Sequence, residues 1–292
     1  MSLPSMPKSF EDVPAPLQEV IGRELQSKEI VRHLIFSPEF KAGKFRTLES
    51  IFCVTDRRWL AVLRQADGSV TLESAPFGHT LLIALTIVLL QGGLHIDFVK
   101  VGQSRSLVLH FNTVMERLYS GAIRDVLDGI DNARRPDTLL DPNSRLMLQN
   151  WPLKFQNYAV IYMPRGSPLI AAVHWDTLRR GFGREIAPSA AIFLTDRHLV
   201  VIAEEKSFRR FGFRRDTKYG GIISYIPRRR LVRYGMTEQR RARSLSLELG
   251  VGDITERLEL LFPTEKCGEV LRLVQQTERN GATAARGVIN AT

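Results

Sequence analysis

The chain is a succession of short apolar runs, partly alternating with polar residues, broken by Gly, Pro and Asp turns and closed twice by a segment of longer period. Val31 to Phe36 and Ile51 to Arg64 have the pattern of strands. Asp67-Gly68, between Leu63 and Val70, is a hairpin signal. Thr80 to Leu90, Leu94 to Val101 and Ser106 to Phe111 continue the strand series, with turns predicted at Gln91-Gly92-Gly93 and Gly102-Gln103-Ser104. Ahead of the strands, Pro16 to Gln26 reads as a short helix with Leu17, Val20, Ile21 and Leu25 on one face. Behind them, Met115, Leu118, Tyr119, Ala122, Ile123, Val126, Leu127 and Ile130 recur at helical spacing, so Met115 to Ile130 is an amphipathic helix. Thr113 with Glu116 predicts a capping box at its start.

The second half repeats the order. Ile51 to Val62 aligns without a gap with Ala191 to Ile202 at an offset of 140, each carrying Thr-Asp-Arg (Thr55-Asp56-Arg57 and Thr195-Asp196-Arg197). Downstream the offset is 151, with Pro76 over Pro227, Leu107, Leu109 and Phe111 over Leu258, Leu260 and Phe262, and Thr113 over Thr264, each a candidate helix N-cap. The difference, 151 − 140 = 11 residues, is an insertion between Ile202 and Pro227. A repeat of this length is a duplicated domain rather than a solenoid. Copy two then predicts strands at Ala159 to Met163, Ala190 to Glu204, Ile222 to Ile226, Leu231 to Thr237, Ser244 to Val251 and Arg257 to Phe262, and a helix from Thr264 to about Thr277.

The chain is therefore mainly β, with strands first and one amphipathic helix last in each copy, as in a small barrel or bent sheet plugged by its helix. The expected domains are 15–132 and 145–279, joined by a linker at 133–144, with 1–14 and 280–292 disordered. Thr80 to Leu90 is apolar at successive positions, so its second face needs a cover from outside the copy-one barrel, such as copy two or another chain.

Charge separates the copies. Residues 1–150 hold 17 Lys and Arg against 17 Asp and Glu, whereas 151–292 hold 24 against 14. Residues 206–243 alone hold thirteen basic groups against Asp216 and Glu238. No apolar run approaches the roughly twenty residues of a membrane-spanning helix. No secretory signal is read at the start, and two cysteines, Cys53 and Cys267, suit a reducing cytoplasm rather than a disulfide framework.

The Thr-Asp-Arg turn between two apolar strands, the later Ile226-Pro227 opening a strand (Ala75-Pro76 in copy one), the alternating strand pair and the closing helix resemble the bacterial pleckstrin-homology-like domains and the related GRAM domains. The resemblance covers about residues 18–130 and 146–278. It implies two tandem seven-stranded barrels of two near-orthogonal sheets, each closed by its C-terminal helix, and a binding role without catalysis. Neither closing helix carries the tryptophan typical of eukaryotic members, so their ligand specificity is not carried over. The inositol-phosphate loop of those members follows the first strand. The matching residues here are Lys41, Lys44 and Arg46 in copy one and Arg179, Arg180 and Arg184 in copy two.

The insertion interleaves Lys206, Arg209, Arg210, Arg214, Arg215 and Lys218 with Phe208, Phe211, Phe213 and Tyr219. Guanidinium groups grip phosphate and phenylalanine enters the acyl boundary of a bilayer. Four basic residues engaged on an anionic membrane give about 4 kcal/mol, a millimolar affinity, so inserted Phe side chains decide whether the loop anchors. The alternative is a long hairpin whose Phe residues pack on the barrel. His95 and Asp97 share a strand face, but no His/Cys spacing fits a zinc site, and no nucleophile, phosphate-loop or dinucleotide motif is present. Asp56 and Asp196 shape turns and pair with arginine. The expectation is a cytoplasmic, non-catalytic module without a cofactor, binding an anionic membrane surface or an acidic protein and peripheral at the inner membrane face. The alternative is a protein-interaction or homo-oligomeric scaffold on strand 80–90. Nucleic acid is the weakest candidate, because the basic run sits in no recognisable nucleic-acid module.

Overall fold

The computed structural model describes residues 12–26, 28–42, 45–136, 138, 140–179, 185–205, 220–239, 242–279 and 286–289. The chain divides into two compact units, Met1–Val101 with Arg105–Arg134, and Gly102–Ser104 with Arg135–Thr292. Both are mainly β.

The first unit runs α1 (Ala15–Glu24), β1 (Val31–Ser37), a small hairpin of β2 (Phe40–Ala42) and β3 (Phe45–Thr47), β4 (Ser50–Thr55), β5 (Arg58–Arg64) and β6 (Val70–Pro76). It continues through β7 (Thr80–Val88), β8 (Gln91–Lys100) and β9 (Gln103–Asn112) to α2 (Glu116–Asp131). Strands β1, β4, β5 and β6 are neighbours in that order in one antiparallel sheet, while β7, β8 and β9 are neighbours elsewhere. Pro76 ends the first set. It has no N–H to extend the ladder, and the 3-10 turn Phe77–His79 carries the chain to β7. Among the described residues no sheet closes on itself. The expected seven-stranded barrel is thus corrected to open sheets that change over at a proline corner.

The core is a run of rings. Trp59 on β5 meets Phe98 on β8 edge-on at 4.8 Å, while Phe52 on β4 and Phe111 on β9 stack on Tyr119 of α2 at 6.1 and 4.0 Å. Their polar tips are paired, since Trp59 Nε1 donates to Thr80 Oγ1 at 3.0 Å and Tyr119 Oη lies 2.8 Å from Ser37 Oγ. The apolar stripe of α2 is the buried one: Tyr119, Ala122, Ile123, Val126, Leu127 and Ile130. On the other face of β4, Ile51 and Cys53 join Val13, Leu17, Ile21, Leu60 and Val62 in a second cluster under α1. That layer explains why β4 is buried at every position and reads as a continuous apolar run. Burial pushes the Cys53 thiol up to about 12. Val13 lies inside this cluster, so the expected disorder does not extend to it.

The second unit runs α3 (Pro142–Met147), α4 (Leu153–Tyr162), β10 (Leu169–Trp175), the hairpin β11 (Leu178–Arg179) and β12 (Glu185–Ala187), β13 (Ala190–Thr195), β14 (His198–Glu205) and β15 (Gly220–Pro227). It continues through β16 (Leu231–Gln239), β17 (Ala242–Val251), β18 (Ile254–Pro263), α5 (Cys267–Arg279) and β19 (Arg286–Ile289). From α4 to α5 it repeats the first unit from α1 to α2, element for element, including the 3-10 corner after Pro227. Even the irregularities recur. The register shifts between Val31 and His33 and between Leu169 and Ala171, and again between Thr80 and Leu82 and between Leu231 and Arg233.

Several local expectations are corrected. Ala159 to Met163, expected as a strand, belongs to α4 and its C-cap, and the first strand of the second copy is β10. The turns start two residues and one residue earlier than predicted, at Leu89-Leu90 and Val101-Gly102, where Leu89, Val101 and Gly102 have φ of 54°, 51° and 68°. Gly92 is inside β8, and its lack of a side chain makes room for the Phe111 ring, which a Cβ there would approach to 2.2 Å. The expected capping box is replaced by a 3-10 turn, Thr113–Met115, capped by Asn112, whose side chain accepts from Val114 N at 3.0 Å, while Thr113 Oγ1 donates to the Leu89 carbonyl at 2.9 Å; α2 itself follows Met115 without a side-chain cap bond. No side-chain cap bond starts the Thr264–Lys266 turn, which Pro263 precedes. Pro142 already opens α3 within the expected linker. In the expected tail, Arg286–Ile289 pairs in parallel with Arg233–Met236.

Candidate functional site

The basic connections of the second unit leave from one end of its first sheet. Trp175, the last residue of β10, pairs with Ala190, which pairs with Ala203. Glu205 and Gly220, the last pair of the β14–β15 ladder, flank the insertion. The connections 176–189 and 206–219 therefore start and finish side by side. In the first unit Ser37, Ser50 and Leu63 mark the same end.

The described part of the expected anion set is small. Lys41 is exposed on β2, opposite Arg46 on β3, and Arg46 grips Glu39 through two bonds of 2.7 and 3.1 Å. Its guanidinium holds the Glu39 carboxyl below the usual carboxylate range. Arg64 adds an ion pair to Glu49 at 3.2 Å. In the first unit this end is thus populated by paired charges. Arg179 is exposed at the end of β11. Lys44, Arg180, Arg184, Lys206, Phe208, Arg209, Arg210, Phe211, Phe213, Arg214, Arg215 and Lys218 lie outside the described residues. The sequence still separates the copies: 65–69 holds one charge, Asp67, whereas 206–219 holds six basic residues against Asp216.

Helix α4 approaches the same end, which the sequence did not reveal. Lys154 Nζ bonds Glu204 Oε1 at 2.8 Å and lies 5.5 Å from the Tyr158 ring centre. Phe155 sits 4.6 Å from His174, and Trp151 lies 5.4 Å from both His174 and Phe193. Tyr158 packs over the sheet at Gly221, where a Cβ would stand 3.5 Å from Tyr158 Oη, an ordinary van der Waals contact. Burial pushes the His174 imidazole down, so it is neutral at pH 7.

The opposite end holds the repeated turn. Thr55 Oγ1 accepts from the backbone N–H groups of Arg57 and Arg58 at 3.1 Å, and Thr195 Oγ1 does the same for Arg197 and His198 at 3.3 and 2.9 Å. Asp56 accepts from Ile30 N at 3.0 Å, and Asp196 pairs with Arg135 at 2.8 Å. Both aspartates pair with arginine, as expected, Asp56 with Arg57 and Asp196 with Arg135 and Arg197, while the threonines make the bonds within the turn. In the second unit Arg228 spans from the Asp196 carbonyl, at 2.9 Å, to the Gln276 and Thr277 carbonyls of α5, at 3.1 and 2.7 Å. It ties the turn to the negative end of the helix. In the first unit the corresponding corner carries Phe77, beside a cavity of about 400 Å3 lined by Arg32, Arg57 and Arg134 together with Asp56 and Asp128.

His95 Nε2 lies 2.7 Å from Asp97 Oδ1, which Ser106 Oγ also contacts. Both bonds converge on one carboxylate oxygen, so serine and histidine are not in sequence as nucleophile and base. Among the described residues no group of three or more His, Cys, Asp or Glu side chains is arranged to hold a metal ion.

No protein-family model matches the chain, and no curated protein matches it. The reading of function therefore rests on its own residues. Among the described residues no helix is long and apolar enough to cross a membrane.

Proposed function

We propose that the chain is a non-catalytic binding protein of two tandem pleckstrin-homology-like domains, the second of which docks peripherally on an anionic phospholipid surface. The proline corner between a four-stranded set and a second set of three consecutive strands, joined in the second unit by β19, followed by one amphipathic helix, supports the fold reading in both units. One observation carries the binding reading. The two basic connections of the second unit share one end of one sheet, where Glu205–Gly220 and Trp175–Ala190 are the terminal pairs. Lys206, Arg209, Arg210, Arg214, Arg215 and Lys218 supply phosphate contacts, Arg179, Arg180 and Arg184 add to them, and Phe208, Phe211 and Phe213 enter the acyl boundary. Lys41, Lys44 and Arg46 contribute less, because Arg46 is committed to Glu39. The protein acts from the cytoplasm, at the inner membrane face, and needs no cofactor.

Co-sedimentation tests the reading. Binding to phosphatidylglycerol vesicles but not to phosphatidylcholine vesicles, weakened by salt and by F208A/F211A/F213A, is the expected result. No binding to anionic vesicles at low salt would falsify it. A protein-interaction scaffold on strand 80–90 is the second reading. It rests on Leu89 and Leu90, exposed by 61% and 58% at the β7–β8 turn, because Thr80 to Leu85 are buried.

A further inference from the structure

Helices α1 and α4 are the same element in two copies. Their first residues differ by 153 − 15 = 138, as do those of β1 and β10 (169 − 31 = 138). Each starts after a proline in extended conformation, Pro14 or Pro152, and each ends at an extended residue, Leu25 or Met163. Their inner faces agree, with Leu17 and Ile21 buried in one and Phe155 and Ala159 in the other. Their outer faces do not. The exposed positions of α4 are Leu153, Asn157, Val160 and Ile161, and the matching positions of α1, also exposed, are Ala15, Glu19, Gly22 and Arg23, with Pro16 exposed beside them. Leu153 is 70% exposed and Ile161 59%. On α3, Leu146 and Met147 add 60% and 45%.

A helix at a protein surface keeps a polar outer face, and α1 obeys this while its duplicate does not. An apolar outer face costs solubility unless something covers it. The cover is indicated by what lies beside the helix start. Lys154, next to Leu153, bonds Glu204, one residue from the end of β14 and two from the basic insertion. The apolar face thus begins beside the residues from which the basic insertion leaves the sheet, and extends from Leu153 to Ile161, roughly 12 Å along the helix. Apolar surface bordered by Lys and Arg is the composition of an interfacial element, in which the apolar side enters the headgroup and acyl boundary and the basic side meets anionic headgroups.

We propose that the outer face of α4, with Leu146 and Met147 of α3, is a membrane-insertion face for an anionic bilayer. The inference rests on the lipid-docking reading above and adds a second, helical point of insertion to the Phe residues of the loop.

Trp151 provides the test. It is half-buried two residues before Leu153, whereas Trp59 and Trp175 are 0% and 2% exposed. The full chain is mixed with phosphatidylglycerol/phosphatidylcholine vesicles whose acyl chains carry bromine, which quenches nearby tryptophan. The inference expects quenching of the bound protein, lost in Trp151→Phe. It also expects on the order of a tenfold to hundredfold weaker vesicle partition for L153S/I161S, with no change for the equivalent first-unit variant A15S/R23S. Sedimentation with the vesicles but without quenching, and unchanged by L153S/I161S, overturns the inference and leaves the lipid reading standing. Absence of sedimentation at low salt overturns both. Conversion of an oligomer to a monomer by L153S/I161S in vesicle-free buffer also overturns it, since the face then belongs to a protein interface.

Discussion

At the same turn, one unit holds a paired arginine and the other a neutral histidine among arginines. In the first, Arg58 donates to both oxygens of Glu29, at 2.8 and 2.9 Å, and to Glu24 at 2.8 Å. In the second, the aligned residue is His198, 1% exposed beside Arg135, Arg197 and Arg229, with its imidazole pushed down to about 3 by burial and then by those arginines. The threonine-centred turn around them is nevertheless the same. The turn is therefore scaffold that tolerates either electrostatic solution, and the repeat marks shared architecture rather than a shared ligand. The copies differ in the β14–β15 insertion, by sequence, and in the outer face of α4, and it is to these that we assign binding.

The largest expected effect is on the first unit's solution. Glu29 has a side chain 1% exposed, so Arg58→Ala leaves a buried carboxylate without its main partner and costs about 3–5 kcal/mol. Denaturant unfolding followed at Trp59 measures this. A loss confined to a few tenths would mean that water reaches Glu29 and the pair is dispensable.

Acid separates the units next. His198 is held neutral in the folded state, whereas an exposed histidine titrates near 6.5, so the unfolded chain binds the proton more readily. Its contribution to stability is complete above about 6.5 and is lost as pH falls towards 3, amounting to about 2 kcal/mol by pH 5. His174, pushed down by burial, acts in the same direction. Glu29, lowered chiefly by its bond to Arg58, contributes above the ordinary carboxylate range and is lost only as pH falls below it. The second unit should soften first between pH 7 and 5, with His198→Phe reducing the slope. Hydrogen exchange resolved by unit reads this directly, and equal acid sensitivity of both units would contradict it.

Arg228→Met should be milder, about 1–2 kcal/mol, because it removes bonds to helix-end carbonyls that water can partly replace. Phe77→Met, at the aligned corner, should cost less than about 1.5 kcal/mol as a conservative swap between apolar side chains. Equal losses would mean that the guanidinium acts only as packing.

The sequence made the strand order, the closing helices and the copy-two insertion legible, because those depend on period and register. It hid α4 for a physical reason. Ala159 to Met163 is apolar on both faces of its helix, so no 3.6-residue stripe stands out and the run reads as a buried strand. The two-faced apolarity that concealed the helix is the property that singles it out from α1. The open sheets were hidden as well, since closure depends on hydrogen bonds that the Pro76 and Pro227 corners omit. In the candidate site, the basic residues could be read but their common origin could not, because the adjacency of 176–189 and 206–219 follows from pairing across β10, β13, β14 and β15.

The central claim, that binding resides where the copies differ, is tested most directly by exchanging connections within the full chain. Residues 206–219 are replaced by the Gln65–Ser69 turn of the first unit, and partition onto phosphatidylglycerol vesicles is measured at low salt. Removing six basic residues, of which about four engage at about 1 kcal/mol each, together with Phe208, Phe211 and Phe213, predicts a loss of partition of at least about a thousandfold in a chain that unfolds as cooperatively as before. Undiminished binding by the exchanged chain would contradict the account.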